Sequence, residues 1–175
     1  MGKILKGCAM DNKRDSGFTI LDVIIVFAVI GILLAIAIPG IIRWLPDYKL
    51  RAEGRNLLST MQLARLRAVK ENAHVVALFD TDNNSYEVFV DNNDSWTRDV
   101  GESIVTNSSI PAKINMYEAS FSGGVPRVRF DGRGFPNGAG GHVYLLNTNS
   151  KYIALRLSIV GHSRIEISDD GATWN

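Results

Sequence analysis

The sequence predicts an α+β chain: one long hydrophobic α-helix at the amino end, then a β-rich head built on antiparallel sheets. Two observations carry that expectation. Of residues 18–46, 22 of 29 are apolar, against 52 of 129 from residue 47 onward. Past residue 74 the apolar spacing shifts from the helical period toward two, and turn residues recur at short intervals. The length of 175 residues suits one domain with an appendage. Whole-chain values of 46% hydrophobic and 21% charged residues exclude a disordered or collagen-like chain, but they average two unlike regions. A formal net charge of +1 supplies no overall field to hold nucleic acid or an anionic surface. The single cysteine, Cys8, excludes a disulfide framework and cysteine-based zinc sites.

Residues 1–17 set Lys3, Lys6, Lys13 and Arg14 against Asp11 and Asp15, a balance of +2 ahead of the apolar run, as in a flank retained in the cytoplasm. Residues 23–42 are 20 positions without a charge, about 30 Å as a helix and enough for one membrane crossing. A cleaved secretory signal has a shorter apolar core followed by a small-residue cleavage site, so this helix is expected to stay on the protein. A helix apolar on all sides for about five turns is also more than so small a domain can bury. Pro39 lacks an amide donor and crowds the carbonyl of Ala35, so a kink or local melting is expected there.

Asp22 does not suit a plain anchor. A carboxylate at the apolar edge is costly unless it meets a positive or hydrogen-bonding group. Two roles fit. It can partner an amino group of a neighbouring subunit and so set an assembly register, or it can mark the headgroup boundary in the first helical turn, where the helix dipole favours an anion. The default that intramembrane charges are functional favours assembly.

The stretch Gly17-Phe18-Thr19-Ile20-Leu21-Asp22-Val23-Ile24-Ile25-Val26, continuing through Gly31 to Pro39, resembles the class III signal and helix of type IV pilins and type II secretion pseudopilins. The resemblance implies a pilin-like fold. It also implies that a prepilin peptidase cuts between Gly17 and Phe18, that the new terminal Phe18 is N-methylated, and that the subunit waits in the bacterial inner membrane, head in the periplasm, before joining a pilus or pseudopilus. Three regions follow: a cleaved leader at 1–17, a transmembrane and assembly helix at 18–46, and an amphipathic helix with its β-rich head at 47–175. The family usually has glutamate at the fifth mature position, whereas Asp22 keeps the charge with one methylene less reach. The implied partners are the prepilin peptidase, sibling pilins or pseudopilins, an inner-membrane assembly platform and the lipid bilayer. Cys8 follows no apolar stretch, so lipidation is not expected, and cleavage at Gly17 would leave a mature chain without cysteine.

In residues 47–73, Leu50, Leu57, Met61, Ala64 and Ala68 are spaced by seven, four, three and four, one apolar stripe of a helix that must lie on a sheet. Arg51, Arg55, Arg65, Arg67 and Lys70 occupy its other faces and read as solvated. Strands are expected at 74–79, 86–91, 113–118, 127–130, 142–146, 152–159 and 164–168, the first two forming a hairpin around residues 80–85. In 152–159 the core face is Ile153, Leu155, Leu157 and Ile159. Beyond the strand at 113–118, residues 91–125 carry no assigned role. Within the head, Val128-Arg129-Phe130-Asp131-Gly132-Arg133-Gly134-Phe135-Pro136-Asn137-Gly138 and the strands after it resemble the GspH/FimT type of minor pseudopilin, over roughly the last third of the chain.

Other chemistry was weighed on the same residues. Gly132, Gly134, Gly138, Gly140 and Gly141 lack the Gly-Lys-Ser/Thr ending and following helix of a phosphate loop, so they are expected to make a tight connection between strands. Asp80, Asp82, Asn84 and Asp91 have the spacing of a calcium loop but lack its glycine and its bidentate glutamate, and no metal is expected. His74, His142 and His162 lie apart in sequence without a nucleophile motif. His74 and His142 are expected as edge residues with satisfied rings. No enzyme activity and no cofactor are expected. The alternative to a secretion or pilus subunit is a FimT-like minor pilin that binds DNA for transformation. Arg164 stands before Glu166, Asp169 and Asp170, which repel phosphate, and Arg127, Arg129 and Arg133 are the only other cluster, so DNA is not expected as a partner. A third possibility is an uncleaved bitopic protein with a ligand-binding head.

Overall fold

The computed structural model describes residues 19–175. They fall into two compact units that divide between Ile41 and Ile42. Helix α1 spans Ile20–Glu71. Its backbone remains helical through Pro39 and Pro46. Every described residue of the first unit is exposed.

In the second unit, the stripe read from the sequence is buried as spaced: Leu50, Leu57, Met61, Ala64 and Ala68 are 0–2% exposed. Gly54 lies on the same face, where an added Cβ would stand 3.0 Å from Ile153, so glycine lets the helix backbone come close to the sheet. Eight strands follow: β1 His74–Asp80, β2 Ser85–Asp91, β3 Ile104–Ser109, β4 Ile114–Phe121, β5 Arg127–Phe130, β6 Gly141–Asn147, β7 Tyr152–Leu157 and β8 Ser163–Ser168. They form two antiparallel four-stranded sheets, ordered β3-β2-β1-β5 and β4-β6-β7-β8. Alternate residues of both sheets join the helix stripe in one core, with Val75, Ala77, Phe79, Val88 and Phe130 from the first and Met116, Phe121, Val143, Leu145, Ile153 and Leu155 from the second. Phe79 and Phe121 stack across the two sheets with centroids 5.3 Å apart.

The hairpin expected at 80–85 is a turn closed by its own polar groups. Asp80 Oδ1 accepts the amides of Asp82 (3.0 Å) and Asn83 (2.9 Å), and Oδ2 accepts the Asn83 side-chain amide at 2.6 Å. These bonds, first that from the Asn83 backbone, hold the Asp80 carboxyl below its ordinary pKa. Asn84, at φ 51°, then ties the turn to β4: its Nδ2 donates to Ile114 O and its Oδ1 accepts Met116 N, both at 2.8 Å. Asp80 thus engages its carboxylate within its own turn, and Asn84 its side-chain amide on β4. Among the described residues no group of three or more His, Cys, Asp or Glu is arranged to hold a metal ion.

Three details differ from the sequence expectation. β3 was not foreseen, because Ile104–Ser109 is a mostly polar strand at the sheet edge, paired only with β2. β7 stops at Leu157, and Ile159 is 66% exposed in the turn where Gly161 N donates to Ser158 O at 2.9 Å. His74 and His142 begin inner strands rather than edge strands.

The unassigned stretch after β2 straps the outer face of the first sheet. Val76, Phe89 and Arg129 are partners in register and share that face, where Val76 and Phe89 are fully buried. Buried Asp91 accepts the amides of Ser95 (3.1 Å) and Trp96 (3.2 Å), turning the chain back over the sheet. Trp96 then stacks on the guanidinium of Arg129, 4.2 Å from ring centroid, with Arg127 at 5.4 Å. Arg98 pairs with Glu87 at 2.5 Å, and Arg129 with Asp94 at 3.0 Å.

Candidate functional site

The site with the least support from the fold itself is the amino-terminal part of α1. From Ile20 to Leu45 its large apolar side chains are 39–82% exposed, far beyond the scattered apolar surface of a soluble monomer. Among the described residues this is the one helix long and apolar enough to cross a membrane. Gly17 and Phe18, the expected processing pair, and Cys8 lie outside the described residues.

Asp22 sits in the first turn of α1 and closes a reciprocal cap with Thr19. Asp22 Oδ2 accepts Thr19 N at 2.9 Å and Thr19 Oγ1 at 2.8 Å, while Asp22 N donates to Thr19 Oγ1 at 3.3 Å. A Thr followed three residues later by an acidic residue, just before an apolar run, is the sequence signature of a helix start. Thr19 is therefore the site residue that sequence reasoning passed over, although Thr-x-x-Asp was there to be read. Both carboxylate bonds fall on Oδ2. Oδ1 makes no hydrogen bond among the described residues.

Several arginines of the head are engaged within it. Arg127 and Arg129 hold Trp96. Arg133 pairs with Asp131 at 2.9 Å, and Arg156 and Arg164 share Glu166 at 2.5 and 2.7 Å. Burial raises the Glu166 carboxyl, but the Arg156 hydrogen bond and the two positive charges outweigh it and leave its pKa lowered. Of the arginines weighed for a phosphate track, Arg129, Arg133 and Arg164 are bound to carboxylates of the same head, and Arg127 and Arg129 share the Trp96 ring.

The histidines are brought together only in part. His74 bonds Asp94, and His142 Nε2 lies 3.0 Å from Glu118 Oε1. His142 and His162 line one shallow groove with Arg156, Ser158 and Arg164, while His74 belongs to the other sheet. Ser158 Oγ accepts the backbone amide of His162 at 3.1 Å, and among the described residues it makes no hydrogen bond to a histidine ring. The outer face of this sheet carries a column of rings, with His142, Tyr117 and Trp174 stacked about Tyr144 at 4.3, 5.6 and 5.1 Å.

The glycine-rich stretch serves packing. Asp131 Oδ1 accepts the amides of Arg133 and Phe135, both at 2.9 Å, and folds the chain back so that Phe130 bridges Pro136. That turn lies on the end of α1. Gly134 has φ 80°, and a Cβ there would come within 2.9 Å of Val69. Gly132 and Gly134 therefore meet the end of α1, while Gly138 faces Ser122 and Gly140 and Gly141 face the backbone of Leu157 and Ser120.

With the geometry in hand, comparison with known proteins is decisive for the family. The family described as Type II transport protein GspH matches residues 53–161. No curated relative matches the chain in sequence. Among solved structures, the minor pseudopilin EpsH from the type 2 secretion system of Vibrio cholerae aligns with TM-score 0.55 at 8% identity, covering 67% of this chain and 95% of its own. The type IV minor pilin FimU of Pseudomonas aeruginosa aligns with TM-score 0.53 at 15% identity, covering 74% and 94%. These likenesses show a pilin-like fold, a long apolar helix followed by antiparallel sheets, and the family is one of structural subunits rather than enzymes. The chain belongs to the GspH family of type II transport pseudopilins.

Proposed function

We propose that this protein is a minor pseudopilin or minor type IV pilin, held in the inner membrane by residues 18–46, matured between Gly17 and Phe18, N-methylated on Phe18, and assembled with sibling subunits through the same helix. The observation that carries this reading is the exposed apolar surface of α1 from Ile20 to Leu45, with Asp22 at its start. Lipid covers that surface while the subunit waits, and equivalent helices cover it in the filament. Asp22 keeps one oxygen on the Thr19 cap, which fixes its rotamer, and offers Oδ1 to the new amino group of a neighbouring subunit. Pro39 supplies a point where the apolar helix bends against its neighbours. The prepilin peptidase and an inner-membrane assembly platform are the partners this life cycle requires.

The test is Asp22→Ala in the full-length chain. The variant is expected to remain in the membrane fraction after alkaline extraction, yet to lose cross-links to sibling subunits, and Asp22→Glu is expected to restore them. Wild-type cross-linking by Asp22→Ala would contradict the assembly role.

A further inference from the structure

The segment of α1 that follows the uncharged run carries a notch for which the fold supplies no occupant. Ile42, Leu45 and Pro46 of α1 and Ile114 of β4 wall a cavity of about 180 Å³, which Lys49 and Lys113 also line. Lys113 is set there by an unusual backbone: it is a non-glycine residue at φ 78°, in the turn just before β4. Among the described residues neither lysine, nor Arg43 nearby, forms an ion pair within 4.0 Å, a state they share with Arg51, Arg55 and Lys70. The closest acidic residue in sequence, Asp47, is already engaged: its Oδ1 accepts Asn147 Nδ2 at 2.7 Å and Asn149 Nδ2 at 2.9 Å. Beside the notch, Trp44 and Tyr48 stack at 5.0 Å and are 60% and 53% exposed.

Chain continuity brings these features to the membrane surface. Residues 23–42 supply about 30 Å of apolar helix, the thickness of the hydrocarbon, and Arg43 to Lys49 follow directly in sequence. Trp and Tyr are the aromatic residues of the headgroup layer, and lysines extend apolar stems while keeping their ammonium groups at the phosphates. The flank beyond the run also holds Arg43, Lys49, Arg51 and Arg55, as many cations as Lys3, Lys6, Lys13 and Arg14 before it.

We propose that the notch binds an anionic phospholipid, its phosphate between Lys49 and Lys113 and its glycerol and upper acyl carbons against Ile42, Leu45 and Pro46, so that the waiting subunit is held at a fixed height in the bilayer. This rests on the membrane reading above. A zwitterionic lipid presents the same phosphate with a choline that two ammonium groups repel, so the notch selects net negative charge.

The experiment uses the full-length chain in detergent micelles doped with equal phosphatidylglycerol and phosphatidylcholine, with retained lipid counted by native mass spectrometry. Retention of phosphatidylglycerol is expected to exceed that of phosphatidylcholine about tenfold. The preference is expected to fall to near parity in Lys49→Gln/Lys113→Gln, to return in Lys49→Arg/Lys113→Arg, and to persist in Lys70→Gln, whose charge lies outside the notch. No preference in the wild type, or a preference that survives Lys49→Gln/Lys113→Gln, would overturn the inference. A chain that fails to fractionate with membranes would overturn the membrane reading itself, which separates the two failures.

Discussion

Residues 23–42 and 50–68 belong to one helix, yet they solve opposite problems. The second stretch buries one apolar stripe, Leu50, Leu57, Met61, Ala64 and Ala68, against two sheets of its own chain, and leaves only Leu63 and Leu66 of its large apolar side chains well exposed. The first has them on every side and buries none. Sequence period separates the two: where apolar residues recur every three or four positions the protein completes its own core, and where they are continuous something else must cover them. The head thus depends on internal packing, and the apolar segment on lipid or on sibling helices.

The contrast is broken most forcefully by truncating the same kind of side chain on each side of it. Phe130→Ala removes a fully buried ring from the core and is expected to lower head stability by about 3–5 kcal/mol in urea unfolding. Ile32→Ala, in the exposed stretch, is expected to shift that transition by less than about 0.5 kcal/mol. A smaller effect is expected from Gly134→Ala, which combines positive φ with a Cβ pressed on Val69 and should cost about 1–3 kcal/mol, read from the same transition. Trp96→Ala releases the strap from Arg129 and uncovers Val76 and Phe89. A loss of about 1 kcal/mol is expected, with faster amide exchange confined to the first sheet.

The smallest expected effect is a pH dependence that belongs to the head alone. Burial raises Asp131 and Glu166, but hydrogen bonds from Phe135 and Arg133 to the first, and from Arg156 to the second, leave both carboxyls lower than in the unfolded chain. The unfolded state then binds more protons as pH falls, so their contribution is complete above the ordinary values of 3.8 and 4.5 and is lost as pH drops through the lowered ones. Thermal midpoints of the head are expected to stay level from pH 7 to about pH 5 and to decline below about pH 4. A decline that begins near neutrality would show that other groups govern the head.

Much of this was legible in the residues because the signals were local. The five stripe positions of α1, the hairpin around Asp80 and the turn at Asp131 each follow from spacing or turn chemistry within a few residues. Three features were not. β3 is too polar to show a core face, since it is held at one edge by β2 alone. The strap depends on Trp96 meeting Arg129 across 33 positions, a pairing that no local period reports. The alternation of β7 runs past its real end, because Ile159 continues the pattern into a turn closed by Ser158 and Gly161. Of the amino-terminal site, Asp22 was evident from its charge, while its cap on Thr19 was present as a four-residue motif and went unread.

The proposed function centres on the amino end, where maturation would turn a membrane-held subunit into an assembled one. The most direct measurement is the amino-terminal peptide of the native protein recovered from membranes, determined by mass spectrometry. A peptide beginning at N-methylated Phe18 is the result this account predicts. One beginning at Met1, or at a residue other than Phe18, would contradict it.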